Sequence, residues 1–189
     1  MASQSQQAPT QFISTFPAPK DGDEVAVLET NFGRIVLQLF PDKAPIHVKR
    51  FKELIEKHFY DGTKFHRVIP GFMIQGGDPN TKGSDRSTYG HGGPGYTIPA
   101  EHNDVSHVRG VLSAARMDDP DSAGSQFFIV VGDSTYLNGQ YDPFGRVLEG
   151  MDVADKIVAL PTDGEHDPLP GHEAVVKTIR LEKWPIKGS

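Results

Sequence analysis

One arginine stands where an apolar strand would ordinarily carry a hydrophobe. In the run Phe65-His66-Arg67-Val68-Ile69-Pro70-Gly71-Phe72-Met73-Ile74-Gln75-Gly76-Gly77-Asp78, the alternation of an extended chain puts Phe65, Arg67 and Ile69 on one face. A guanidinium there must find a partner or reach a cleft, because an unpaired buried charge is expensive. Gln75 brings a second polar group after Phe72 and Met73. Two readings stay open on the residues alone. Arg67 is half of a structural ion pair at the barrel rim, or it reaches into a cleft.

The other motifs carry less. Gly90-His91-Gly92-Gly93-Pro94-Gly95 has the spacing of a dinucleotide fingerprint. That fingerprint must follow a strand and open a helix, and here Pro94 and the extended-looking Tyr96-Thr97-Ile98-Pro99 forbid it. No phosphate loop, zinc-protease or serine-elbow string occurs. His102 and His107, with Glu101 beside them, lack the spacing of a metal site and read as surface or hydrogen-bonding histidines. The acidic clusters Asp118 to Asp121 and Asp163 to Asp167 lack the ligand order of a calcium loop and read as solvated.

The chain positions these residues with short elements. Of its 189 residues, 20 are Gly and 15 are Pro, which excludes a helical bundle and favours many strands joined by turns. There is no Cys, hence no disulfide, thiolate site or cysteine nucleophile, and the net charge of −6 argues against nucleic acid. No apolar run is long enough for a membrane span, and the first twenty residues have no signal-like core, so a cytoplasmic protein with a flexible tail over 1–20 and one domain over 21–186 is expected. Asp23 to Thr30 and Arg34 to Phe40 read as a strand pair. Val48, Phe51, Ile55 and Phe59 form one face of a helix that begins at Pro45, and Lys49-Arg50-Phe51-Lys52 reads as its wet side. Further strands are expected over Phe65 to Ile69, Phe72 to Gln75, Gly110 to Ala115, Gln126 to Val131 and Ala174 to Trp184, with a second helix over Asp152 to Leu160. No strand–helix alternation is present, so the fold class is mainly β, an antiparallel barrel or sandwich with two helices.

The full Phe65 to Asp78 string closely resembles the signature of the cyclophilin-type peptidyl-prolyl isomerases. The resemblance continues through Gly110-Val111-Leu112-Ser113-Ala114-Ala115, Gly124-Ser125-Gln126-Phe127-Phe128-Ile129, Tyr136-Leu137-Asn138-Gly139 and Phe144-Gly145-Arg146-Val147. It spans roughly residues 23 to 184, and several strings in the right order make it specific. It implies an eight-stranded antiparallel β-barrel capped by two α-helices. It also implies catalysis of rotation about X-Pro bonds in peptides and unfolded proteins; the sequence carries no obvious dimer signal, so a monomer is expected. That reaction needs no nucleophile, metal or redox centre, so no cofactor is expected.

By the same resemblance Arg67 is the catalytic donor and Gln75 supports it. Phe72, Met73, Phe128 and Leu137 hold the proline, and His66 binds the substrate beside them. Gln126 and the backbone of Arg116, flanked by Ala115 and Met117, contact the peptide. Tyr136 stands where the best-known eukaryotic members carry a tryptophan that helps to bind cyclosporin, so weak cyclosporin binding is expected. Tyr141 replaces a histidine at the groove wall and Arg116 an asparagine, as in some bacterial members, and Ala114 replaces a methionine. The loop Asn80 to His91 is longer than in simple bacterial relatives. Its Lys82, Asp85 and Arg86 contact residues before the proline or are solvated, the second being the expectation.

Overall fold

A computed structural model describes residues 11–187. Strands β1 (Glu24–Thr30), β2 (Gly33–Leu39), β3 (Arg67–Ile69), β4 (Met73–Gly76), β5 (Val111–Ala114), β6 (Phe127–Val130), β7 (Asp142–Glu149) and β8 (Val176–Lys183) form one sheet in the order β3-β4-β6-β5-β7-β2-β1-β8. Every pairing between them is antiparallel. The sheet curls on itself, and its two ends meet just before β3 and β8, where Phe65 N–H donates to Ala174 C=O (3.0 Å) and Val176 N–H to Thr63 C=O (2.8 Å). Helices α1 (Pro45–Glu56) and α2 (Met151–Val158) pack on this curled sheet.

Strand periodicity divides the apolar residues between two clusters. Val68, Ile74, Leu112, Phe127 and Ile129 point into the main core with Phe51, Leu54 and Ile55 of α1 and Ile157 of α2. Their neighbours Met73, Val111, Phe128 and Val130 point the other way, into a smaller cluster with Phe72, Leu137 and Tyr141. That second cluster becomes the floor of the site.

Several elements differ from the sequence reading. The expected α1 face ran on to Phe59, but the helix stops at Glu56. His58 takes a left-handed φ of 56°, and Phe59 N–H reaches back to Leu54 C=O (3.0 Å), the geometry of a Schellman stop. Ala44 provides no side-chain cap for α1. Glu101, far along the chain, accepts from the N–H groups of Ile46 (3.1 Å) and His47 (2.7 Å) instead, placing a carboxylate at the positive helix end.

Arg50, expected on the wet side, is 3% exposed. It lies on the buried stripe of His47, Val48, Phe51 and Leu54, with its guanidinium 6.0 Å from the centre of the Phe144 ring. Its three guanidinium nitrogens have no hydrogen-bond partner among the described residues. Strand β7 was not expected from pattern, because Pro143 and Gly145 interrupt the alternation. A register shift between Leu112 and Ser113 on β5 accommodates Pro143 opposite Ser113.

The expected tail divides. Residues 1–10 lie outside the described residues. Residues 11–20 do not behave as the expected flexible tail. Ile13 bridges to Val105, Phe16 packs on Phe40 (5.1 Å between ring centres), and Pro17 C=O accepts from the Gln38 side chain (3.1 Å). Packed chain therefore begins ahead of the expected boundary at 21. Among the described residues no helix is long and apolar enough to cross a membrane.

Candidate active site

Register brings the sequence-distant candidates into one row. Arg67 lies opposite Gln75, Gln75 opposite Phe128, and Phe128 opposite Ser113, across β3, β4, β6 and β5. All four side chains leave the outer face of the sheet, because directly opposed residues share a face. The sharp turn at Pro70-Gly71, with Gly71 at φ 75°, folds β4 back on β3 and puts Met73 beside Ile69.

Over this row lies a cleft of about 720 Å³. Arg67, Gln75 and His66 line it. Phe72, Met73, Phe128 and Leu137 form an apolar floor, and Ala115, Arg116, Met117 and Tyr141 the opposite wall. The Arg67 Nη1 donates to Gln75 Oε1 at 3.5 Å, and the Arg67 residue as a whole is exposed to the cleft. Gln126 lines an adjoining cleft of about 520 Å³, which shares Gln75, Ala115, Arg116 and Met117 with the first. Tyr136 lines neither. It is 65% exposed, on the rim, with its ring 6.0 Å from that of Phe72.

The wall is held by a contact that the sequence did not announce. The Arg116 guanidinium stacks 4.6 Å over the Tyr141 ring and donates to Met117 C=O (2.8 Å), Asp118 C=O (3.1 Å) and Gln140 C=O (2.8 and 3.2 Å). It ties the loop after β5 to the turn before β7, a task that suits a planar fork. His66 is nearly buried, and burial lowers its pKa.

His107 is the residue that sequence reasoning placed least well. The sequence reads it like His102, yet the two part company: His102 Nδ1 meets Asp142 (2.7 Å), while His107 lies fully buried beneath the floor. Its ring stacks on Phe128 (6.0 Å, 16°) and meets the Tyr141 ring edge-on (6.4 Å). Asn138 Oδ1 accepts from the His107 backbone N–H (2.8 Å) and faces Nδ1 (3.2 Å), so Nδ1 carries the ring proton. Nε2 is then the acceptor for the Ser113 hydroxyl (2.9 Å). Burial pushes the imidazole down to about 4, so it is neutral near pH 7. The only local signal was a histidine three residues before a strand glycine, and its position under Phe128 depends on long-range pairing.

The inserted loop is not simply solvated, as had been expected. Arg86 Nη2 is paired with Asp163 (3.0 Å) and Asp167 (2.8 Å) and also donates to Pro168 C=O (3.0 Å). Arg86 and the two aspartates line the far end of the cleft. Among the described residues no group of three or more His, Cys, Asp or Glu is arranged to hold a metal ion.

One curled sheet of eight antiparallel strands with two helices packed on it is the architecture of the cyclophilins, and comparison with known proteins agrees. The family model described as cyclophilin type peptidyl-prolyl cis-trans isomerase matches residues 25–182. A peptidyl-prolyl cis-trans isomerase of Acinetobacter baylyi is 39% identical over 165 residues, covering 82% of this chain and 84% of the relative. A probable peptidyl-prolyl cis-trans isomerase of Brucella suis is 45% identical over 162 residues, covering 83% and 82%. Among solved structures, a Cryptosporidium parvum cyclophilin determined in the presence of the dipeptide Ala-Pro superposes with a TM-score of 0.75 at 32% identity, over 84% of this chain and 99% of that one. The chain belongs to the cyclophilin-type peptidyl-prolyl cis-trans isomerase family, and its activity is that of an isomerase.

Proposed function

We propose that Arg67 catalyses rotation about X-Pro bonds by donating to the prolyl nitrogen of the twisted peptide, with the proline ring held on the apolar floor. A planar amide resists rotation by about 18–20 kcal/mol because resonance gives its C–N bond double-bond character. Twisting ends that resonance and leaves a lone pair on nitrogen. A donor fixed where that lone pair forms favours the twisted state over both planar states, which is what acceleration requires. A guanidinium keeps its charge at all working pH values and offers several rigid donors.

The observation that carries this reading is that Arg67 lines one cleft together with Phe72, Met73, Phe128 and Leu137. The relative determined with Ala-Pro supports a proline-containing ligand for the same groove. His66, Gln126, the backbone of Arg116 and its neighbours Ala115 and Met117 would bind the flanking peptide, and Tyr136 and Tyr141 its outer edge. The clients would be unfolded proteins bearing X-Pro bonds, handled by a monomer.

The test is an isomerase assay on an X-Pro peptide with wild type, Arg67→Ala and Arg67→Lys. Losing a charge-assisted hydrogen bond of about 1.5–3 kcal/mol lowers kcat/KM by roughly 10- to 150-fold. Lysine should rescue poorly. Equal rates for wild type and Arg67→Ala would remove Arg67 from the mechanism. Peptide binding by the wild type without any measurable rate would favour a non-catalytic Pro-peptide module or chaperone on this fold.

A further inference from the structure

The loop that follows β4 holds the two glutamines of the groove in one orientation, and the chemistry of their amides shows how. Gln126 Nε2 lies 3.0 Å from Gly90 C=O and 2.9 Å from Gly92 C=O. A carbonyl can only accept, so two of them at one end of an amide require the NH₂ group there. The oxygen of Gln126 is thereby turned toward Gln75, and it accepts from Gln75 Nε2 at 2.9 Å. Gln75 has then committed its NH₂ group, and its own oxygen is the end left facing Arg67 Nη1 at 3.5 Å. Were either amide reversed, Arg67 would face an NH₂ group, and donor would meet donor.

The Gly90 carbonyl sits on a loop that is tied down at both ends. At the inner end the fully buried Asp78 accepts from Gly90 N–H (2.5 Å) and Asn80 N–H (2.8 Å). Asn80 donates onward to Thr88 C=O (2.9 Å). At the outer end Arg86 spans to the loop 163–168 through Asp163, Asp167 and Pro168 C=O. Arg86 is joined to Gly90 by four peptide units, so the clamp sits close along the chain to a carbonyl that Gln126 requires.

We propose that the loop 80–91 is a positioning element for the isomerase reaction, in which the Arg86 clamp holds the Gly90 carbonyl and this fixes Gln126, then Gln75, then Arg67. Arg86 is a positioning residue here and touches no reacting atom. The proposal rests on the reading of Arg67 as the donor, and the experiment separates the two.

Steady-state kcat and KM on an X-Pro peptide are compared for wild type, Arg86→Ala, Gln126→Ala and the double variant, with Arg67→Ala alongside. Asp163→Asn serves as a second, milder release of the clamp should Arg86→Ala fold poorly. A relay predicts that Arg86→Ala lowers kcat about three- to thirty-fold, within the range of coupled neighbours, and costs little further once Gln126 is gone. Side-chain amide NMR gives an independent readout. The Gln126 NH₂ protons should be distinct and slow to exchange in the wild type, and should converge and exchange faster in Arg86→Ala. Additive losses in the double variant, a change confined to KM, or unchanged Gln126 amide signals would overturn the relay while leaving Arg67 in place. Wild-type kcat in Arg67→Ala would overturn both.

Discussion

His107 should make the stability of this protein fall steeply on mild acidification, by an amount that can be worked out. Its imidazole is fully buried between Phe128, Tyr141, Ser113 and Asn138 and is pushed down to about 4. In the unfolded chain a histidine titrates near 6.5. Between pH 6.5 and 4 the unfolded state therefore binds the proton that the folded state refuses, and stability rises with pH across that window. The contribution is fully present above 6.5 and is lost as pH falls toward 4. Relative to pH 7, the cost is about 2 kcal/mol at pH 5 and about 3 kcal/mol at pH 4, as an order of magnitude. The perturbation is His107→Gln, whose amide can still serve Ser113 and Asn138 but does not titrate. Urea unfolding at pH 7, 6, 5 and 4 isolates the group, since the other ionisable residues are common to both proteins. The wild type should lose about 2–3 kcal/mol more than the variant between pH 7 and pH 4. Parallel curves for the two proteins would refute the reasoning, either because the ring is reached by water or because the fold opens to admit its proton at no cost.

Replacing the buried Arg50 by methionine should stabilise the fold by about 1–3 kcal/mol in urea unfolding, because a desolvated cation without a hydrogen-bond partner gives way to an apolar chain of similar length. A loss of stability would mean that the guanidinium has a partner, such as a buried water or anion. Cyclosporin should bind weakly, since Tyr136 offers no indole N–H. Tyr136→Trp should tighten binding by about tenfold in a calorimetric titration, the worth of one added hydrogen bond, and nanomolar binding by the wild type would contradict this.

Much of this molecule was legible along the chain. Short strands and turns follow from the Gly and Pro content, and the alternation of β1 and β2 and the apolar spacing of α1 place those elements to within a few residues. Arg67 was conspicuous because a charge in an apolar run is costly unless it has a purpose. Where local pattern failed, a long-range term had intervened. β7 breaks its own alternation with Pro143 and Gly145, and only the register shift on β5 makes room for them. Arg50 follows the spacing of a buried stripe but carries the chemistry of an exposed one, and packing against Phe144 decided between them.

The amino-acid sequence by itself determined which residues alternate, where the chain turns, and that one arginine had to face a partner or a cleft. Those are properties of neighbours, set by backbone sterics and by the free energy of hydrating a charge. Only the tertiary structure decided that Arg67, Gln75, Phe128 and Ser113 stand in one row, that His107 lies beneath it, and that Arg86 closes on Asp163 and Asp167. The row depends on strand register, where a slip of one residue would turn every side chain to the opposite face, and the other two contacts involve loops that the sheet brings together. Register is fixed by the burial of the whole sheet, which no single segment contains.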